Sequence, residues 1–189
     1  MLINFQALDH KVTPDELLGL SSDNPGTKFE TTKEGRLIIM SPTGSNSGRR
    51  NTKLIFQVEL WNTRDNLGVT FDSSTGFILS NGAIKSPDVS WIKLSRWREL
   101  TPQQQDRFAP LDPDFVIELR SPGDKLKDLQ QKMAEYIDCG VRFGWLINPT
   151  DKQVEIYRQG EDVEVLDNPQ SLSGEDVLPG LVVDLADIF

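Results

Sequence analysis

Glu118 stands inside "PDFVIELRSPGD" (residues 113–124), where Phe115, Val116, Ile117 and Leu119 have the β-branched and aromatic character of a buried strand. Side chains alternate along a strand, so Val116, Glu118 and Arg120 share one face. An isolated buried charge is very costly, so this carboxylate has to be paired, hydrogen-bonded or bound to a metal. The simplest arrangement is an ion pair with Arg120 on an exposed strand face. A second acid, Asp88, follows Pro87 in "SPDVSWI", where another apolar strand emerges from a turn. Two acids on adjacent strands could share a hard cation such as Mg²⁺, which takes carboxylate oxygens together with water and phosphate oxygens. Lys132 is the third candidate. It lies three residues after Leu129 and four before Tyr136, on the flank of a helix stripe. A lysine there ordinarily snorkels along its stem, but it could also reach across the end of a sheet to Glu118.

Other chemistries have few residues to draw on. The 189-residue chain has one cysteine, Cys139, and one histidine, His10. Neither an intrachain disulfide nor a Cys/His zinc site can be assembled, and any histidine-based triad would need His10, which has no nucleophile motif around it. Cys139 falls at a helix end, where the dipole disfavours a thiolate, so it reads as a packing residue. The net charge of −9 argues against tight nonspecific binding to nucleic acid. The cations are nevertheless clustered at Arg49, Arg50 and Lys53, at Lys93, Arg96 and Arg98, and at Lys125, Lys127 and Lys132. No apolar run approaches a membrane span and no secretory leader is visible, which sets a cytoplasmic expectation with no membrane partner.

Several elements must position these residues. "TPDELLGL" predicts a short helix with Thr13 as N-cap, Pro14 at its first position and Glu16 closing a capping box. "KFETTKEGRLIIMSP" predicts a hairpin, with strands near 28–32 and 36–40. Residues 45–68 have helical spacing at Leu54, Ile55, Val58 and Trp61, with Gly68 as the stop. Three strands follow, at "VTFDSS", "GFILS" and "DVSWIKL", the last two joined through "NGAIKSP". After a short helical connection comes the strand 114–120. The helix 124–139 has Asp124 as cap, Leu126, Leu129, Met133, Tyr136 and Ile137 as stripe, and Gly140 as stop. Strands at "RFGWLIN", "QVEIYR" and "VEVL" complete the pattern. With no repeat or linker visible, the expectation is one mixed α/β domain over 1–189, its core at about 45–148.

Asp88, Glu118 and this helix–strand order resemble the PD-(D/E)XK nuclease superfamily. More closely, "FE…EGRLIIMSPTG", "SPDVSW", "PDFVIELRSPGDKLKDLQQKMAEYIDCGVRFGWLINP" and "LPG" are similar to the Uma-type restriction endonuclease family. The resemblance runs from about Lys28 to the C-terminus, and its most specific part is Asp114 to Pro149. It implies a restriction endonuclease-like core, a central mixed sheet flanked by helices, and hydrolysis of phosphodiester bonds in DNA.

The resemblance also implies roles. Asp88 matches the aspartate of the "PD" motif and Glu118 the second acid, the pair that would hold Mg²⁺ or Mn²⁺. The superfamily pattern has a lysine two residues after that acid. Here the position is Arg120, which can contact phosphate but cannot act as a general base. Uma-type proteins carry a lysine on the following helix, matched by Lys132, and an acid in the first hairpin, matched by Glu30. Family members often have a histidine after the "SPTG" turn, where this chain has Ser45, Asn46 and Ser47. Arg49, Arg50 and Lys53, at the start of a helix, are further candidates for substrate contact. Lys132→Ala is expected to abolish activity and spare the fold. A homodimer is expected, since cutting both strands commonly takes two sites, with Trp97 and Phe108 as interface candidates. The alternative is a catalytically silent nuclease-like fold serving as a binding or assembly module.

Overall fold

The computed structural model of the protein describes residues 11–189. His10 lies outside the described residues. The chain opens with α1 (Pro14–Asp23), where Thr13 and Glu16 form the expected capping box, a cap worth about 1 kcal/mol. The hairpin β1 (Lys28–Thr31) and β2 (Leu37–Met40) follows, then α2 (Ser45–Asp65). Next come β3 (Gly68–Asp72), the short pair β4 (Phe77–Ile78) and β5 (Ile84–Lys85), and β6 (Val89–Lys93). Two single-turn helices, α3 (Leu94–Trp97) and α4 (Pro102–Gln105), lead to β7 (Phe115–Leu119), α5 (Leu126–Cys139) and β8 (Phe143–Asn148). The chain closes with β9 (Gln153–Arg158), β10 (Glu164–Asp167), β11 (Ser171–Ser173) and β12 (Val182–Asp184).

Six strands form the main sheet in the order β10-β9-β8-β7-β6-β3. All neighbours are antiparallel except β7 and β8, which run parallel because α5 carries the chain from one to the other. Both faces of the sheet are covered. Leu54, Val58 and Trp61 of α2 pack with Phe115, Ile117, Leu119 and Trp145 on one side. On the other, Met133 and Tyr136 of α5 pack with Val116 and Leu146. That double cover is why every residue of β7 and β8 is buried and why their sequences are nearly continuous apolar runs. Each large side chain there contributes roughly 1.5–3 kcal/mol, so the platform is rigid. α5 sits close on it: a Cβ on Gly144 would lie 2.6 Å from the Met133 methyl.

Three expectations are corrected. α2 ends at Asn66, whose left-handed backbone (φ 48°) forms the cap. Gly68 instead begins β3, where a Cβ would run into the Trp91 ring and the Ile92 carbonyl. Asp124 does not cap α5; it accepts the Ser121 N–H at 2.8 Å, and the N-cap position is Lys125. Ile84 and Lys85 are not part of a plain connection but pair with β4 as a separate hairpin. Of the interface candidates, both half-buried, Trp97 has its ring 5.1 Å from that of Phe71 and Phe108 packs against the cluster around Leu17 and Phe29. Among the described residues, no helix is long and apolar enough to cross a membrane.

Candidate active site

β6 and β7 bring the two strand acids together. Val89 pairs with Ile117 and Ser90 with Val116, so Asp88 falls opposite Glu118 in the antiparallel register and on the same sheet face. Asp88 reaches across to β7 and accepts the Leu119 N–H on Oδ2 at 2.8 Å. Glu30 arrives from β1, and its Oε1 accepts the Ser86 N–H at 3.0 Å. α5 supplies the cation. Lys132 Nζ lies 2.9 Å from Glu30 Oε1 and 2.8 Å from Glu118 Oε1. Its side chain is only 14% exposed, so it does not snorkel to solvent.

One ammonium between two buried carboxylates cannot neutralise both. Burial pushes Glu30 up, but Lys132, Lys85 and the Ser86 N–H outweigh it and hold Glu30 below its ordinary range. Glu118 has the poorer balance. Burial raises it, Lys132 opposes, and the charges of Asp88 and Glu30 raise it further, to about 7. The same ion pair thus meets two opposite shifts, because Glu30 has Lys85 besides and Glu118 has two acid neighbours. Asp88 is also raised, chiefly by burial, against the pull of Lys28. Burial alone would lower Lys132, but Glu118 and Glu30 hold it far above its usual value, so it stays an ammonium.

These groups open on a cleft of about 930 Å³ lined by Lys28, Glu30, Asp88, Glu118, Ser121 and Lys132, among others. Lys28 stands two residues before Glu30 on β1 and donates to the Ser86 carbonyl at 2.9 Å. Lys85 is paired with Glu135 at 3.2 Å. At the rim, hydroxyls join the β7–α5 loop to the start of α2 and the turn before it: Ser121 donates to Ser47 at 2.8 Å and lies 3.1 Å from Thr43 Oγ1. Ser47 therefore takes part in the rim.

The other sequence candidates lie apart. Arg120 does not pair with Glu118. It donates to Asn148 Oδ1 at 3.2 Å and to Asp151 Oδ2 at 3.1 Å, outside the cleft lining. Arg49 donates to the Asp187 carbonyl at 3.2 Å, and Lys53 pairs with the Asp187 carboxylate at 3.0 Å. Neither they nor Arg50 line the cleft. Lys28 and Lys85 on the cleft wall, and the buried Tyr136 that bonds Glu118, are the site residues that sequence reasoning missed. Lys28 had a signal, since period-two alternation puts it on the face of Glu30. Cys139 is half-buried with its thiol pushed up by burial, in keeping with a packing role.

Whether a divalent ion suits these residues can be judged from their free oxygens. Among the described residues, no three His, Cys, Asp or Glu side chains form a ready metal cluster. Two carboxylates nevertheless suffice for Mg²⁺, which keeps several waters and takes substrate oxygens. Asp88 uses Oδ2 and Glu118 uses Oε1 in the bonds above. Among the described residues, that leaves Asp88 Oδ1 and Glu118 Oε2 without a bonded partner, on two carboxylates whose raised pKa signals unmet negative charge. The donor set fits a hard cation.

The fold and the site define a restriction endonuclease-like chain: a mixed sheet between helices, with acids on two central strands and a lysine on the crossover helix. Its architecture matches that of a structure titled a putative nuclease belonging to DUF820 from Anabaena variabilis, with TM-score 0.74 and 22% identity over 94% of this chain and 97% of that one. The chain belongs to the Uma2 family, described as "Putative restriction endonuclease", whose family model matches residues 14–186. No curated protein matches the chain.

Proposed function

We propose that the chain is a divalent-metal-dependent endonuclease acting on DNA, with the whole chain as one domain. The observation that carries this reading is the Lys132 ammonium held between Glu30 and Glu118, beside Asp88, on an open cleft. Membership of the Uma2 family supports it.

Asp88 and Glu118 are the residues that would hold Mg²⁺ or Mn²⁺. When bound, the ion supplies Lewis acidity toward the scissile phosphate and offsets the acidic character of the cleft. Lys132 uses two of its three N–H donors on Glu30 and Glu118, leaving one for a phosphate oxygen or the attacking water. Its charge stabilises the negative charge that builds on the phosphoryl oxygens as water attacks and the ester oxygen leaves. Held protonated, it serves as a fixed donor and not as a base. Glu30 keeps the ammonium in place. Lys28, on the near wall, is suited to contact the backbone of a bound strand.

The test is cleavage of supercoiled plasmid and labelled linear duplex with Mg²⁺, Mn²⁺ or EDTA. Wild type should cut only with the divalent ion, and Asp88→Asn and Glu118→Gln should lose at least about 100-fold, the scale of removing a main transition-state contributor. No cleavage of duplex, single-stranded DNA or RNA with any divalent ion would overturn the catalytic reading and favour a silent binding or assembly module.

A further inference from the structure

Glu118 receives a second donor. The Tyr136 hydroxyl lies 3.0 Å from Glu118 Oε1, the oxygen that Lys132 already approaches at 2.8 Å. Tyr136 and Lys132 are four residues apart on α5 and so project from one face, with Lys132 Nζ 5.8 Å from the Tyr136 ring centroid. The tyrosine has no freedom to leave: it is fully buried with Val116, Met133 and Leu146. Oε1 therefore has two donors, Lys132 and Tyr136, and Oε2 is the oxygen left for a ligand.

We propose that Tyr136 is a positioning residue that restricts Glu118 to ligation through one oxygen, and so biases the site toward small octahedral cations over calcium. The inference rests on the metal site proposed above. Mg²⁺ demands near-ideal octahedral geometry at about 2.0–2.1 Å, which suits one oxygen per carboxylate. Ca²⁺ takes six to eight oxygens at about 2.3–2.6 Å and often binds a carboxylate through both. With Oε1 held by two donors, the bidentate mode is blocked. Removing the hydroxyl restores a free lone pair to Oε1 and with it that mode.

Tyr136→Phe deletes only the hydroxyl and keeps the packing and the Lys132 contact. The experiment titrates Mg²⁺, Mn²⁺ and Ca²⁺ into the metal-free full chain by calorimetry, for wild type and variant, with melting in EDTA to verify the retained fold. Groups that orient a metal ligand typically alter affinity about 10- to 100-fold. The variant should lose Mg²⁺ and Mn²⁺ affinity on that scale while Ca²⁺ affinity holds or rises, so the Mg²⁺-to-Ca²⁺ affinity ratio falls at least about tenfold. An unchanged ratio, including an equal loss for every ion, would overturn the role of Tyr136 and leave the metal site standing. A wild-type chain that takes up no divalent ion would overturn the metal reading itself and this inference with it.

Discussion

Replacing Glu118 with glutamine should stabilise the metal-free protein at pH 8. The glutamine carbonyl can still accept from Tyr136 and Lys132, but the buried negative charge is gone. Glu118 titrates at about 7 in the folded chain instead of near 4.5. Between those values the folded state holds a proton that the unfolded state has released, so stability falls as pH rises through the window and levels off above it. Each pKa unit corresponds to about 1.4 kcal/mol, so the ionised group costs about 3 kcal/mol at pH 8. The attraction of Lys132 is already contained in that shift, so the gain should be about 3 kcal/mol and, for a chain of this size, about 6–12 °C in Tm. The assay is urea and thermal unfolding in EDTA at pH 5 and pH 8 for both proteins. The gain should be large at pH 8 and mostly gone at pH 5. A variant less stable than wild type at pH 8, or one with the same gain at both pH values, would refute the claim that Glu118 carries unmet charge.

Lys132→Ala should now be expected to damage the fold as well as activity, because it leaves Glu30 and Glu118 buried without their ammonium; the loss should be about 3 kcal/mol or more at pH 8, read by urea unfolding. Lys28→Ala should weaken binding of a short duplex in Ca²⁺ more than Lys53→Ala does, measured by fluorescence anisotropy, because Lys28 lines the cleft and Lys53 is paired with Asp187. Lys53→Ala should change stability by no more than about 1 kcal/mol, the scale of an exposed ion pair. Light scattering at micromolar concentration should give a dimer, and Trp97→Ala should lower Tm without shifting that mass, since Trp97 packs against Phe71 within the chain.

Much of the site was legible because it lies in one contiguous unit. Residues 113–149 contain β7, α5 and β8, and within such a unit the period of two fixes the face of Glu118 and the period of 3.6 fixes the side of Lys132. Arg120 lies just past the end of β7, its N–H still bonded to the Ile147 carbonyl of β8, but its guanidinium goes to Asn148 and Asp151 instead of back to Glu118. Tyr136 was read only as part of an apolar stripe, which it is; its hydroxyl gains meaning only once Glu118 is seen beneath it. The pairing of Arg49 and Lys53 with Asp187 spans more than 130 residues, and no local pattern encodes it. The same holds for the contact of Glu30 with Lys132, 102 residues apart; the resemblance put Glu30 near the site but did not foresee this pairing. The β4–β5 hairpin has only two residues per strand, too few for alternation to register.

A crystal soaked in Mn²⁺, with anomalous differences collected at the manganese edge, would locate the ion. The expected result is a peak between β6 and β7, with Asp88 Oδ1 and Glu118 Oε2 each at about 2.0–2.3 Å and Glu118 Oε1 still bonded to Lys132 and Tyr136. A peak bound elsewhere, or none at a concentration that saturates activity, would contradict the assignment of these two carboxylates as the metal ligands.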